Sequence, residues 1–266
     1  RINDNTGIYG IVGNPVMHSL SPQIHNPGFH RINYNAVYVP FLSDSIRSFL
    51  TLAEMLRLRG FSVTVPFKVD VVRFLGNITR EVKQIGSCNT VVRVPNMWKG
   101  TNTDFYGFLN PIEKEIEDGR ITSALVLGAG GAAKAIVWAL KMRSVKVTIL
   151  NRTVSKAEDM AKLYGVAYDR MDKIKNYEGK VDLVVQATSL GLYPNEDVNP
   201  AEDFEFSGKE VAYDIVYAPK YTKFLRAAEK AGCTLKFGID MLMEQGKLQF
   251  ESFTGYHYPK NLNPLS

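Results

Sequence analysis

Six consecutive small residues carry the sharpest chemical signal in the chain. The apolar run Ala124-Leu125-Val126-Leu127 passes directly into Gly128-Ala129-Gly130-Gly131-Ala132-Ala133, and helical periodicity follows. A dinucleotide pyrophosphate needs this arrangement. Gly128 allows a tight turn, Gly130 lets the backbone approach the phosphates, and Ala133 permits close helix–strand packing. The helix N-terminus then offers N–H donors to the anion. Glycine alone would mark only a turn; the order strand, turn, helix makes it a nucleotide signal. The next apolar run ends in Asn151-Arg152-Thr153, with Lys156 a turn further. An NAD site expects an acid at that tip, bonding the ribose 2′-hydroxyl. Here a guanidinium stands instead, and its planar fork suits a phosphate and can stack on adenine. The tip therefore favours NADP over NAD, the other reading being a solvated surface arginine.

The remaining polar clusters lie earlier. His18-Ser19-Leu20-Ser21-Pro22 places two hydroxyls at a predicted helix start, a cradle for a carboxylate, with Ser21 as N-cap and Pro22 at the first helical position. Thr64-Val65-Pro66-Phe67-Lys68 sets a lysine just beyond a strand, where α/β sheets bind ligands, although most such lysines are simply solvated. Asn89-Thr90 and Asn102-Thr103-Asp104 end apolar runs, a placement that suits a site and equally suits turns.

Positioning these groups requires alternating strands and helices, which predicts an α/β protein with mostly parallel sheets. Strands are predicted over 8–12, 36–41 and 61–65. A helix over 44–58 is expected to stop at Gly60, and a two-strand return spans 89–94 and 98–102. A second series gives strands over 123–127, 145–150, 182–187, 211–216 and 234–237. Helices are expected over 131–142, 155–164, 222–231 and 240–253. The boundary is placed near residues 104–108, and the tail is expected to pack back onto the first domain. This gives a substrate domain of 1–105 with 239–266 and a nucleotide domain of 106–238.

Composition narrows the classes. The chain has 266 residues, 45% hydrophobic and 22% charged, an ordinary globular mixture long enough for two domains. Its apolar runs are too short to cross a bilayer, so no membrane partner is expected. The N-terminal stretch lacks a secretory progression, which predicts a cytoplasmic protein. The two cysteines make no disulfide framework, and the four histidines show no zinc spacing, so no metal is expected. The net charge of +5 is scattered, arguing against nucleic acid and in keeping with a small anionic ligand. Either a monomer or a homodimer is compatible with these features.

Read in order, nine segments resemble the shikimate dehydrogenase family nearly end to end. They are His18-Ser-Leu-Ser-Pro22, Val63-Thr-Val-Pro-Phe-Lys68, Ile85-Gly-Ser-Cys-Asn-Thr90, Gly100-Thr-Asn-Thr-Asp104, Gly128-Ala-Gly-Gly-Ala-Ala133, Asn151-Arg-Thr153, Ala187-Thr-Ser-Leu-Gly191, the stretch 214–219 and the stretch 238–245. The resemblance implies a substrate domain completed by the C-terminal helix, a Rossmann NADP-binding domain, and an active site in the cleft between them. It implies reversible NADPH-dependent reduction of 3-dehydroshikimate to shikimate, in aromatic amino-acid biosynthesis. By position, Lys68 and Asp104 become the catalytic pair, and Ser19 and Ser21 hold the substrate carboxylate. Thr64, Asn89, Asp104 and Gln245 bond the ring hydroxyls, and Tyr217 lines the pocket near the carboxylate. Gly128, Ala129, Gly130, Gly131, Ala132, Ala133, Asn151, Arg152, Thr153 and Lys156 take the cofactor, with Thr188 and Gly238 near the nicotinamide.

The chemistry asked of that pair is coherent. Hydride reaching a ketone leaves a developing alkoxide, and Lys68 can supply a proton or a positive charge while Asp104 orients it. Phe67 departs from the family's usual histidine before the lysine. Ser87-Cys88 stands where Ala-Val is usual, a change expected to matter little, and Thr101 stands where a larger or acidic residue is common. A quinate-active enzyme of the same family, a two-domain folate dehydrogenase and a non-catalytic metabolite sensor are the alternatives. The paired serines favour shikimate.

Overall fold

Short runs rich in β-branched and aromatic residues become two six-stranded sheets, each in its own unit of the chain. The computed structural model describes residues 2–265. One unit runs to Asp104 and resumes at Met243, and the other spans Phe105–Leu242.

In the first unit, β1 (Gly7–Gly13) lies between β2 (Ala36–Leu42) and β3 (Gly60–Val63), parallel to both. Parallel neighbours need crossovers, which α1 (Ser21–Arg31) and α2 (Ile46–Met55) supply. After β4 (Asn77–Ile78) and α3 (Arg80–Ile85), the hairpin of β5 (Thr90–Val94) and β6 (Met97–Thr101) completes the order β2-β1-β3-β5-β6-β4. Here β5 runs antiparallel to β3 and β6. Asn96 turns the hairpin at a φ of 61°, a left-handed conformation that asparagine tolerates.

Two expectations are corrected here. Ser21 is the first residue of α1 rather than its cap: Leu20 holds the N-cap position and no side chain caps the helix, so Pro22 is the second helical residue. The Ser21 hydroxyl instead accepts a hydrogen bond from Ser19 Oγ at 3.2 Å. The second helix closes at Met55, and Arg57, at a φ of 53°, makes the left-handed turn. Gly60 lies inside β3, where a Cβ would come within 2.9 Å of both Phe253 Cδ1 and the Val91 carbonyl oxygen. Its smallness serves close packing, not helix termination.

The second unit begins with α4 (Asp104–Leu109), whose first residue belongs to the first unit, and α5 (Glu113–Glu117). Then follow β7 (Ser123–Leu127), α6 (Gly131–Met142), β8 (Lys146–Asn151), α7 (Val154–Tyr164), β9 (Ala167–Arg170), β10 (Leu183–Gln186), β11 (Val211–Asp214), α8 (Lys223–Ala231) and β12 (Thr234–Phe237). All pairs are parallel, in the order β12-β11-β10-β7-β8-β9. Both faces are covered. Val126, Ile149 and Val185 pack with the α6 residues Ile136, Val137 and Leu140, while Leu125, Leu127 and Val184 pack with Phe224, Leu225 and Ala228 of α8. Burial on both faces explains why these strands read as continuous apolar runs rather than alternating ones. The chain order reverses between β7 and β10, the place where open α/β sheets take ligands beyond the strands' carboxyl ends.

The last helix, α9 (Gly238–Thr254), begins in the second unit, and its residues from Met243 on belong to the first. There Phe250 and Phe253 join Phe29, Tyr9 and Tyr38 in an aromatic layer over the first sheet. Tyr9 Oη donates to the Phe253 carbonyl oxygen at 2.9 Å. Among the described residues, no helix is long and apolar enough to cross a membrane.

Candidate active site

Beyond β3 the chain turns at once. Phe67 N–H donates to the Thr64 carbonyl oxygen at 2.9 Å, and the Phe67 ring enters the first-unit core with Val63 and Val71. The phenylalanine is thus an anchor under the next residue. Lys68 is held at its carbonyl oxygen by Cys88 N–H, at 2.8 Å, which ties it to the approach to β5. Its Nζ reaches Asp104 Oδ2 at 2.6 Å, and the two side chains are 15% and 4% exposed. An ammonium has three donors, and among the described residues this one makes that single hydrogen bond.

Asp104 is fixed from several sides. Its own N–H donates to Asn102 Oδ1 at 2.9 Å, and Asn102 Nδ2 donates to the Ser87 carbonyl oxygen at 3.0 Å. Asn89 Nδ2 lies 2.9 Å from Asp104 Oδ1, 2.9 Å from Thr103 Oγ1 and 3.2 Å from Gln245 Oε1. Asn89 Oδ1 accepts from Thr103 N–H and from Thr90 Oγ1, both at 2.8 Å. Lys68, Asn89, Asp104 and Gln245, widely spaced in sequence, therefore form one buried polar cluster. Thr64 sits in the turn that leads to it, half-buried, and Ser19 and Ser21 bond each other at the start of α1.

Several residues of this cluster had no role in the sequence reading. Ser87 and Cys88, expected to be bystanders, brace it: Ser87 holds Asn102, and Cys88 Sγ donates to the carbonyl oxygens of Thr90 at 3.3 Å and Thr101 at 3.2 Å. Burial pushes the Cys88 thiol up to about 12, which keeps it a neutral donor. Gln249, one turn after Gln245, is also drawn in, donating through Nε2 to the Asn89 carbonyl oxygen at 3.0 Å. Its four-residue spacing from Gln245, within the apolar stripe of α9, was the one available signal.

In the second unit the glycine turn lies at the carboxyl end of β7. Gly128 takes a φ of 115°, and a Cβ there would meet the Ala187 carbonyl oxygen at 2.9 Å and Thr188 Cγ2 at 3.1 Å. Both the conformation and the contact require glycine. Thr188 is itself held by buried Gln186, whose Oε1 accepts from Thr188 N–H at 2.6 Å and from Thr188 Oγ1 at 2.8 Å. Gly130 is the N-cap of α6; no side chain caps the helix, no acid occupies its first turn, and a Cβ on Gly130 would meet nothing within 4 Å. Gly131, Ala132 and Ala133 open the helix, with Ala133 fully buried. Lys134 follows, half-buried, its ammonium held below its usual range by desolvation.

At the tip of β8, Asn151 Nδ2 donates to the Thr153 carbonyl oxygen at 2.8 Å, while Arg152, Thr153 and Lys156 are exposed. Arg152 makes no ion pair among the described residues and lines a cavity of about 400 Å³ with Arg170, Met171 and Pro200. The donor set fits a dinucleotide carrying an extra phosphate: a helix start without a side-chain cap behind an open glycine, and an exposed guanidinium at the neighbouring strand tip. Gly238 begins α9, where a Cβ would lie 2.4 Å from the Ile215 carbonyl oxygen. Tyr217 follows β11, half-buried.

The strand order of the second unit, with its glycine turn at the reversal point, defines a Rossmann-type dinucleotide-binding fold. The chain belongs to the shikimate dehydrogenase family. Residues 11–91 match the model of the shikimate dehydrogenase substrate binding domain, and residues 112–210 match that of shikimate / quinate 5-dehydrogenase. The NADP(+) shikimate dehydrogenase of Caldanaerobacter subterraneus subsp. tengcongensis is 35% identical over 98% of this chain and 96% of that protein. The Pyrococcus furiosus enzyme of the same name is 38% identical, over 96% and 92%. The crystal structure of Thermus thermophilus shikimate 5-dehydrogenase in complex with NADP(H) and shikimate superimposes with a TM-score of 0.83 at 32% identity, covering 96% of this chain and 95% of that one.

Proposed function

We propose that this chain is an NADP-dependent shikimate dehydrogenase, interconverting 3-dehydroshikimate and shikimate, and that Lys68 and Asp104 carry the proton chemistry. The observation that carries the reading is the Lys68–Asp104 pair at 2.6 Å, backed by Asn89. NADP(H), when bound, supplies or takes up the hydride. In the reductive direction Lys68 Nζ gives a proton to the ketone oxygen as it becomes a hydroxyl; in the oxidative direction it takes that proton back. Asp104 holds the amine in line and accepts from a substrate hydroxyl. Gln245 is the most distant of the three acceptors around Asn89 Nδ2, and its Oε1 is the one best suited to a second ring hydroxyl.

Ser19 and Ser21 hold the substrate carboxylate, with Thr64 and Tyr217 completing the substrate contacts. Gly128 to Ala133 cradle the pyrophosphate, and Asn151, Arg152, Thr153 and Lys156 hold the adenosine phosphate, with Thr188 and Gly238 beside the nicotinamide. The enzyme works in the cytoplasm, without metal, nucleic acid or membrane, as a monomer or homodimer.

The test is absorbance at about 340 nm with shikimate or quinate, each with NADP⁺ or NAD⁺. Turnover confined to shikimate with NADP⁺ is expected. Activity with quinate would move the substrate assignment within the family, and no signal in any of the four would overturn the reading.

A further inference from the structure

Gln249 is buried, 2% exposed, next to Phe250 in α9, and both ends of its amide are used. Its Nε2 donates to the Asn89 carbonyl oxygen at 3.0 Å, and its Oε1 accepts from Ser62 Oγ at 2.9 Å. Ser62 in turn accepts from Tyr38 Oη at 2.6 Å. The register places Tyr38 opposite Tyr9 and Ser62 opposite Ile11, so the tyrosine reaches over β1 from β2 to β3. His25 stacks on Tyr38 with ring centroids 4.3 Å apart, closing the outer end. A continuous buried chain thus runs Tyr38–Ser62–Gln249–Asn89.

Its inner end is significant because of what Asn89 does. The Asn89 carbonyl oxygen also accepts from Val63 N–H at 2.8 Å, so both of its lone pairs are occupied. The Asn89 side chain meanwhile faces Asp104 and Gln245. Gln245 and Gln249 lie four residues apart on one helix face and grip the same asparagine, one at its side chain and one at its backbone. With the backbone clamped, the amide has one direction to point.

We propose that Gln249 is a positioning residue for the reaction: through Asn89 it sets the orientation of Asp104, and with it Lys68, and it fixes the height at which α9 presents Gln245. The inference rests on the reading of the Lys68–Asp104 cluster as the reacting site. A merely structural role would be to hold α9 down, and Phe250, fully buried in the same turn, already does that.

Gln249→Met keeps the length of the side chain and removes both hydrogen bonds. It is expected to lower kcat/KM for shikimate by about tenfold, the size of one lost buried hydrogen bond, with KM for NADP⁺ within about twofold of wild type. In an Asn89→Ala background, where there is no amide left to aim, the same substitution is expected to add less than about twofold. Ser62→Ala, which loosens Gln249 without deleting it, is expected to give a smaller loss of the same kind. It serves as the probe if Gln249→Met does not fold.

Wild-type turnover is measured in the same assay. An inactive wild type would defeat the underlying reading. An active wild type with folded Gln249→Met at full kcat/KM, or a loss undiminished in the Asn89→Ala background, would overturn the role of Gln249 alone. Equal losses toward shikimate and NADP⁺ would likewise reduce it to a structural residue, for Ser62→Ala as for Gln249→Met.

Discussion

The two units prepare for chemistry in opposite ways. In the first, the candidate reacting groups are side chains held by one another: Asp104 has Lys68 on one oxygen and Asn89 on the other, and Asn89 is held at its amide and its backbone. In the second, the candidate ligands are backbone groups and surface cations. Gly130 faces open space, and Arg152 is exposed. Proton transfer needs atoms placed to a fraction of an ångström, and the hydrogen bonds around Asp104 and Asn89 fix their side chains ahead of substrate. A phosphate needs only donors and charge within reach, so its site can wait half-assembled for the anion to complete it.

Substitutions should divide accordingly. Lys68 aside, the largest effect is expected at Asp104: Asp104→Asn removes the charge that orients Lys68 and should lower kcat by about 10²-fold or more, with NADP⁺ binding unchanged, read by steady-state kinetics. Arg152→Gln should act on the other unit only. It is expected to raise KM for NADP⁺ by about 10- to 100-fold, the worth of a charge-assisted contact, and to leave KM for NAD⁺ alone. Equal changes with both cofactors would remove Arg152 from the 2′-phosphate.

Two glycines sharpen the contrast within the second unit. A Cβ at Gly238 would press on the Ile215 carbonyl oxygen at 2.4 Å, so Gly238→Ala should cost about 1–3 kcal/mol of stability by thermal melting. Gly130→Ala meets nothing within 4 Å and should leave stability within about 0.5 kcal/mol while weakening NADP⁺ binding. A melting loss at Gly130 would mean that the residue is structural.

The two units also differ in pH response. Burial pulls His25 in the first unit down from 6.5 to about 3, and pushes Asp214 in the second up from 3.8 to about 6. Between those values unfolded His25 binds the extra proton, so its contribution to stability is lost as pH falls through 6.5. For Asp214 the folded state binds the extra proton, and its contribution is lost as pH rises from 3.8 through about 6. Relative to wild type, His25→Phe should gain stability on acidification and Asp214→Asn on the way up, each by at most about 1.4 kcal/mol per pH unit. Chemical melts across that range, compared as differences, show whether the slopes have opposite signs.

Much of this contrast could be read from the residues, and what escaped has physical causes. Five of the second unit's six strands, its glycine turn and the arginine at the strand tip were legible, because a parallel sheet buried on both faces leaves uniform apolar runs and its phosphate turn depends on local backbone chemistry. Strand β9 was missed, since this edge strand, Ala-Tyr-Asp-Arg, is mostly exposed and carries no such run. The first unit hid more. Gly60 looked like a helix end because contact with Phe253, nearly two hundred residues away in sequence, cannot be seen locally. Ser21 looked like a cap, since nothing in the sequence shows that its hydroxyl bonds Ser19. Ser87, Cys88 and Gln249 lacked any signal of weight, because a bracing side chain is defined by a partner on another strand or helix.

The central claim is that Lys68 moves the proton while the second unit holds the cofactor. It is tested most directly by Lys68→Ala, measuring turnover with shikimate alongside NADPH binding by fluorescence. The account predicts a loss in kcat of about 10³-fold or more with NADPH affinity within about twofold of wild type. Near-wild-type turnover by a folded Lys68→Ala protein would contradict it.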